Sequence, residues 1–369
     1  MSERLKTLMQ LEVDRLDVPA PPAASVLAQG RSLRRRRSLT LAGSAVAVLV
    51  LVGGGAAVVV GGDDPTKSAP TDAADTAAAP VDTGVTFALG NTVFYDVATK
   101  QVQVAATAVK SLYYTSAGVL VRHGNNSWSD GGGPQRFSLV RPDGTVSPVS
   151  VETEETVHAS DPGQPYVAYA QDAGGTVEVV VHDVDTDTEV ARVAVPGAAA
   201  SFLPVAISGD LVYLGAEMDD FVVDWRTGEI TQPGIVSGPP TVAGGRVAIS
   251  EEGSATVADA RTGEELLAVT FSEYGYLTLS PDGRYAMLEL DSMDGGGGES
   301  EIYDVDTGDH VTLPDAWMTY GWTVDGELFR LTQAGFDTCD PSTGDCSSTK
   351  IDLPGRVAEA QLGGRTYES

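Results

Sequence analysis

Four histidines, two cysteines and several carboxylate clusters are the side chains of this sequence best equipped for chemistry, and their spacing limits what that chemistry is. His123, His158, His182 and His310 lie far apart, and no H-x-H or H-x3-H pair places two of them as metal ligands. No G-x-S-x-G elbow presents a serine nucleophile. Asp183, Asp185 and Asp187 have the D-x-D-x-D oxygen spacing of a calcium loop, but the sixth-position glycine and twelfth-position glutamate are missing. The plainer reading is a turn in which each aspartate caps its own backbone, with calcium as the weaker one. Cys339 and Cys346 bracket a six-residue turn-like stretch; on a hairpin they face each other, and an oxidising compartment joins them as a disulfide. No metal or cofactor site is expected.

The other candidates are acidic and sit in the longest insertions. The segment 123–135 carries Trp128 and Asp130, and 291–301 carries Asp291 and Asp294. Asp172, Asp219, Asp220 and Glu251 occupy matching places in neighbouring units. Two readings stay open. One is an acidic face that binds a cationic or sugar ligand or a partner protein; the other is a set of solvated loops that keep an acidic protein soluble.

The elements that hold these residues follow from a repeat. D-x-x-T-G occurs at Asp224–Gly228, Asp259–Gly263, Asp304–Gly308 and Asp340–Gly344, with looser copies ending at Lys100, Gly144 and Asp187. The seven copies are spaced about 41 residues apart, and a second Gly- or Pro-containing turn precedes six of them. Between the turns run short β-branched and aromatic stretches such as VEVVVHDV and RYAMLEL. Four short strands per unit of this length is the pattern of a propeller blade, which buries both faces only in a closed ring. The expected fold is all-β, a seven-bladed β-propeller over residues 85–369, with six or eight blades left open. A C-terminal strand around 356–362 is expected to complete the short first unit.

The first 84 residues differ in kind. Of 52 acidic and 23 basic residues, residues 1–38 hold four and eight, so the tail is basic and the rest strongly acidic. Arg34–Arg37 precede the 24 uncharged residues 39–62, and Asp63 and Asp64 follow. A helix of that length measures about 36 Å, against a hydrocarbon core of about 30 Å. The expectation is a single transmembrane helix with a cytoplasmic N-terminus, set by the arginines. A cleaved secretory or twin-arginine signal is the alternative. Residues 63–84, rich in Ala, Thr, Asp and Pro, read as a linker. In the tail Leu5, Leu8, Met9 and Leu16 share one arc of a helix before the prolines at 19, 21 and 22, and are expected either to lie on the membrane or to dock a cytoplasmic protein. The acidity excludes nucleic acid as a partner of the outer domain.

Two resemblances follow from these residues. Leu279-Ser-Pro-Asp-Gly-Arg-Tyr-Ala-Met-Leu288 resembles the S-P-D-G signature of WD40-like (PD40-type) propeller repeats, although no Trp-Asp dipeptide ends a blade. The layout of basic tail, single span and outer propeller resembles actinobacterial membrane proteins associated with extracytoplasmic-function sigma factors. That resemblance implies a protein partner, such as a sigma factor, for the tail. The zinc-binding anti-sigma motif is absent, since residues 1–38 contain no His or Cys. The leading functional reading is a non-enzymatic binding or sensing module outside the membrane. An anchored envelope scaffold without signalling is second, and a hydrolase or lyase third.

Overall fold

Strands buried on both faces and strands wet on one face alternate in a fixed order along the chain, and that order builds the architecture. Gly118–Gly124 is buried at nearly every position, whereas Glu265–Thr270 buries only every second residue near its end. The first kind packs between neighbouring sheets; the second is an outer edge. The computed structural model describes residues 84–365, apart from 97, 105–107, 125–133, 154–158, 199–204, 216–219, 233–240, 252, 272–273, 292–298 and 315–318. The tail residues Leu5, Leu8, Met9 and Leu16, the span 39–62 and nearly all of the linker lie outside the described residues. Among the described residues no helix is long and apolar enough to cross a membrane.

The strands form seven four-stranded antiparallel sheets, the blades of a β-propeller. Blades 2 to 7 are continuous in sequence, at 108–153, 159–195, 205–231, 241–270, 274–313 and 320–350. Blade 1 is composite: Phe87–Leu89, Thr92–Tyr95 and Lys100–Gln103 supply three strands, and Ala360–Leu362 from the far end of the chain supplies the innermost. The closing strand is shorter than the expected 356–362. A 3-10 turn occupies Val357–Glu359, and the partner strand is itself only three residues long, so the ladder ends there.

Each joint between blades has its own apolar cluster. Phe87, Phe94, Phe329 and Phe336 fill the joint between blades 7 and 1, where Phe87 and Phe94 stack at 4.9 Å. Val179, Val181, Ile207, Leu214 and Val223 fill that between blades 3 and 4. Seven clusters among the described residues match the seven joints of a closed ring.

The repeated D-x-x-T-G joins the third and fourth strand of each blade, and its chemistry explains its spelling. At Asp259, Oδ1 accepts the backbone N–H of Arg261 at 3.0 Å and of Thr262 at 2.7 Å. The Gly263 N–H donates to the Asp259 carbonyl at 2.8 Å, at a φ of +72° that glycine adopts without strain. The Thr262 hydroxyl then accepts the Glu264 N–H at 3.3 Å. Asp224 and Asp304 repeat the arrangement. The turns between first and second strands lie at the same end of the ring. Six exist rather than seven because blade 1 makes that connection through chain closure.

The ring therefore has two unlike faces. The turn face holds the short capped turns, cross-linked from blade to blade. Asp161 Oδ2 accepts the Gly209 N–H at 2.7 Å, Ser208 Oγ accepts the Gly245 N–H at 3.0 Å, and Arg246 reaches Asp306 at 2.6 Å. The loop face holds the connections between second and third strands and between successive blades. Gly363 N donates to Thr86 O at 2.9 Å, so both ends of the described chain meet on the turn face.

Candidate functional site

The acidic positions fall at strand ends, and strand direction decides which face they occupy. Asp172 ends Tyr166–Asp172, Glu251 ends Arg246–Glu251, Asp291 ends Tyr285–Asp291, and Asp220 begins Asp220–Asp224. All four lie at the junction of second and third strands, hence on the loop face of blades 3 to 6. Trp128, Asp130, Asp219 and Asp294 belong to the same class of connection in blades 2, 4 and 6 but lie outside the described residues. Asp172 is exposed and engaged in its own turn, accepting the Gly175 N–H at 2.6 Å.

Beneath this face blade 2 carries charge that the sequence reading passed over. Lys110 and Arg122 are each only 3% exposed, and Gln135 is fully buried. Gly124 sits close against the Lys110 and Gln135 side chains, at the strand end that leads into 125–133. His123 is buried as well, 3.0 Å from Ser138 Oγ; burial, and then the Arg136 charge, hold its pKa below the usual histidine value. The available signal was a cation inside an apolar strand, in AVKSLYY and VLVRHG, where alternation places it inward.

The three aspartates with calcium-like spacing do not converge. Asp183 Oδ1 caps its own turn through the N–H groups of Asp185 and Thr186. Asp185 pairs with Arg141 of blade 2 at 2.8 Å. Asp187 takes the place that glycine holds in other copies, at φ +54°. Its Oδ1 accepts the Ser150 N–H at 2.7 Å and the Ser150 hydroxyl at 2.9 Å, and lies 3.0 Å from His182 Nε2. Each carboxylate thus has a separate structural use, two of them clamping blade 3 to blade 2. Among the described residues no three His, Cys, Asp or Glu side chains cluster as metal ligands.

Partial burial pushes the Asp187 pKa up, but the bonds from Ser150 and His182 outweigh it and hold it below the ordinary 3.8. Such a group contributes stability above its unfolded-state pKa and loses it as pH falls through the folded value. Asp187→Asn keeps the left-handed backbone and removes the charge. The variant is expected to be less stable than the wild type at about pH 6, with the gap closing toward about pH 3 in urea titrations.

His310 is exposed and stacks on Tyr303 at 5.2 Å; His158 lies outside the described residues. Cys339 and Cys346 form a disulfide between directly opposed positions of strands Gly335–Cys339 and Cys346–Lys350. Asp340 already holds the enclosed turn through the Ser342 N–H at 2.7 Å. Reduction is expected to cost about 2 kcal/mol, the entropy of a short loop, while near-UV circular dichroism stays native.

No family model and no curated protein matches the sequence. Solved structures match its shape. PorZ, an essential bacterial surface component of the type-IX secretion system of Porphyromonas gingivalis, is 13% identical with a TM-score of 0.51, over 75% of this chain and 38% of PorZ. The chain thus spans well under half of that protein. Kuenenia stuttgartiensis hydrazine synthase is 15% identical with a TM-score of 0.42, over 66% of this chain and 79% of that one. BamB from Moraxella catarrhalis is 15% identical with a TM-score of 0.37, over 66% and 76%. At 13% identity the likeness to PorZ is one of fold: the chain carries a seven-bladed β-propeller with capped, cross-linked turns on one face and the longer connections on the other.

Proposed function

We propose that this chain is a membrane-anchored propeller outside the cytoplasm that binds a ligand or partner protein on its loop face without catalysing a reaction. Its basic tail then couples binding to a cytoplasmic regulator such as a sigma factor. The observation that carries the reading is the opposition of the two faces. The N-terminal end of the described chain lies on the turn face, beside Gly363, so the strand ends that carry the acidic positions lie on the opposite face of the ring from that chain end. The apolar stretch 39–62 behind four arginines supports the anchor, and the resemblance in layout to sigma-factor-associated proteins supports the coupling.

A crosslinked pull-down from membranes, comparing the full chain with one lacking residues 2–30, tests the coupling. Recovery of a cytoplasmic regulator by the full chain alone, and its loss in Leu8→Asp, is the expected result. Recovery of identical envelope proteins by both, with nothing cytoplasmic, removes the signalling role and leaves an anchored binding module. Charge reversal at Asp219, Asp220 and Glu251 is expected to abolish capture on the loop face; unchanged capture removes that face as the binding surface.

A further inference from the structure

One buried carboxyl takes no part in the turns, clamps or loop face. Glu289 lies on the second strand of blade 6, Tyr285–Asp291, and is 2% exposed. Tyr285 and Met287 of the same strand face blade 7 and pack with Tyr320 and Trp322, and alternation turns Glu289 the same way. Its Oε1 accepts a hydrogen bond from Thr278 Oγ1 at 3.0 Å, while Oε2 has no hydrogen-bond partner. Trp322 Nε1, a buried donor on blade 7 in the same joint, has none either. An ionised carboxylate with an empty oxygen in an apolar joint is costly; a proton on that oxygen removes the charge.

The charged surroundings do not cancel it. Arg365, just past the closing strand, is the cation that acts on it, and the Tyr276 and Thr278 hydroxyls also favour the ionised form. Burial outweighs all three and pushes the carboxyl above the usual glutamate range. On blade 7, Arg330 and Asp337 are bound to each other at 2.9 Å. On the neighbouring strand of blade 6, Glu301 is taken by the Tyr303 hydroxyl, and Asp291 lies two residues along the same strand.

We propose that Glu289 is a proton-operated catch between blades 6 and 7. The protonated carboxyl keeps the joint shut, and its ionisation loosens the joint that adjoins the closing blade. The inference stands apart from the binding role above. A group held above its unfolded-state pKa gives its full stability below the ordinary value of 4.5 and loses it as pH rises through the folded value.

Hydrogen exchange of the full-length protein, corrected for intrinsic rates, tests this over strands Tyr274–Leu279, Tyr285–Asp291 and Tyr320–Trp322. In the wild type, opening is expected to rise about tenfold per pH unit as pH climbs above the ordinary glutamate value of 4.5, and to level off once the one buried carboxyl has ionised. Glu289→Gln is expected to keep the low-pH protection at every pH. Thr278→Val, which removes a hydroxyl favouring the charge, is expected to extend the wild-type response to higher pH before it levels off. Protection in the wild type that does not change with pH overturns the proposal without any variant. A Glu289→Gln profile that still follows the wild type overturns it equally.

Discussion

Ending the chain at Pro354 is expected to abolish cooperative unfolding, although about 96% of the sequence remains. The lost segment contains Ala360–Leu362, the innermost strand of blade 1. That strand pairs with Phe87–Leu89, and Leu362 packs on the cluster of Phe87, Phe94, Phe329 and Phe336. Gly363 accepts the Trp322 N–H at 3.1 Å and donates to Thr86, so one short stretch ties blade 7 to blade 1. Without it blade 1 has three strands and a bare inner edge, and two apolar blade faces meet water. The expected observations are a broad urea transition and binding of a hydrophobic dye by the native state. A transition as sharp as that of the full chain would show that the ring does not depend on this strand.

The second large effect is expected at Gly244→Ala. Gly244 lies in the turn between the first two strands of blade 5 at φ +56°, and an added Cβ falls 1.8 Å from the Asp282 carbonyl oxygen in the corresponding turn of blade 6. The approach is reciprocal, since a Cβ on Gly283 falls 2.3 Å from the Ala243 oxygen. Both obstacles are backbone, so the blades themselves must move apart. The left-handed conformation costs about 1–2 kcal/mol and the displaced packing about 1–3 kcal/mol, for a loss of roughly 3 kcal/mol by urea unfolding. Gly209→Ala is the control. Gly209 has nearly the same φ, +58°, with nothing within 4 Å of the added carbon, and is expected to show the conformational part alone. Equal losses at the two sites would remove the close approach as the cause.

Much of the fold was legible because its turns use side-chain oxygens. Asp at the first position and Thr at the fourth of D-x-x-T-G each satisfy backbone N–H groups, so the repeat is written in residue types and counts the blades. The cysteines at 339 and 346 were legible for the same local reason, as opposed positions on one hairpin. Features set by packing between units left a fainter trace. Asp161 looks like any turn aspartate, yet one oxygen serves its own turn and the other the Gly209 N–H in the next blade. Asp187 looks like a degenerate copy of the glycine position, yet its charge clamps two blades. Glu289 sat within RYAMLEL, a stretch read only as an apolar strand, where its inward phase was the available clue. Asp172, Asp220, Glu251 and Asp291 lie where second and third strands meet, because the counted turns fix the direction of each strand and so the end of the blade that a residue reaches. What those residues bind is not written in a period, because it depends on side chains from several blades at once.

The meeting of the chain ends at Thr86 and Gly363 also decides how the ring bears force. A pull through the N-terminal segment enters along the axis of Phe87–Leu89, which is flanked on one side by Ala360–Leu362 and on the other by Thr92–Tyr95. Both ladders are then loaded in shear, with their hydrogen bonds resisting together instead of parting one at a time. The strand under tension is the one that the closing segment completes. Mechanical failure therefore starts inside blade 1, at the ladders on either side of Phe87–Leu89, while blades 3 to 5, across the ring, are the last to feel it.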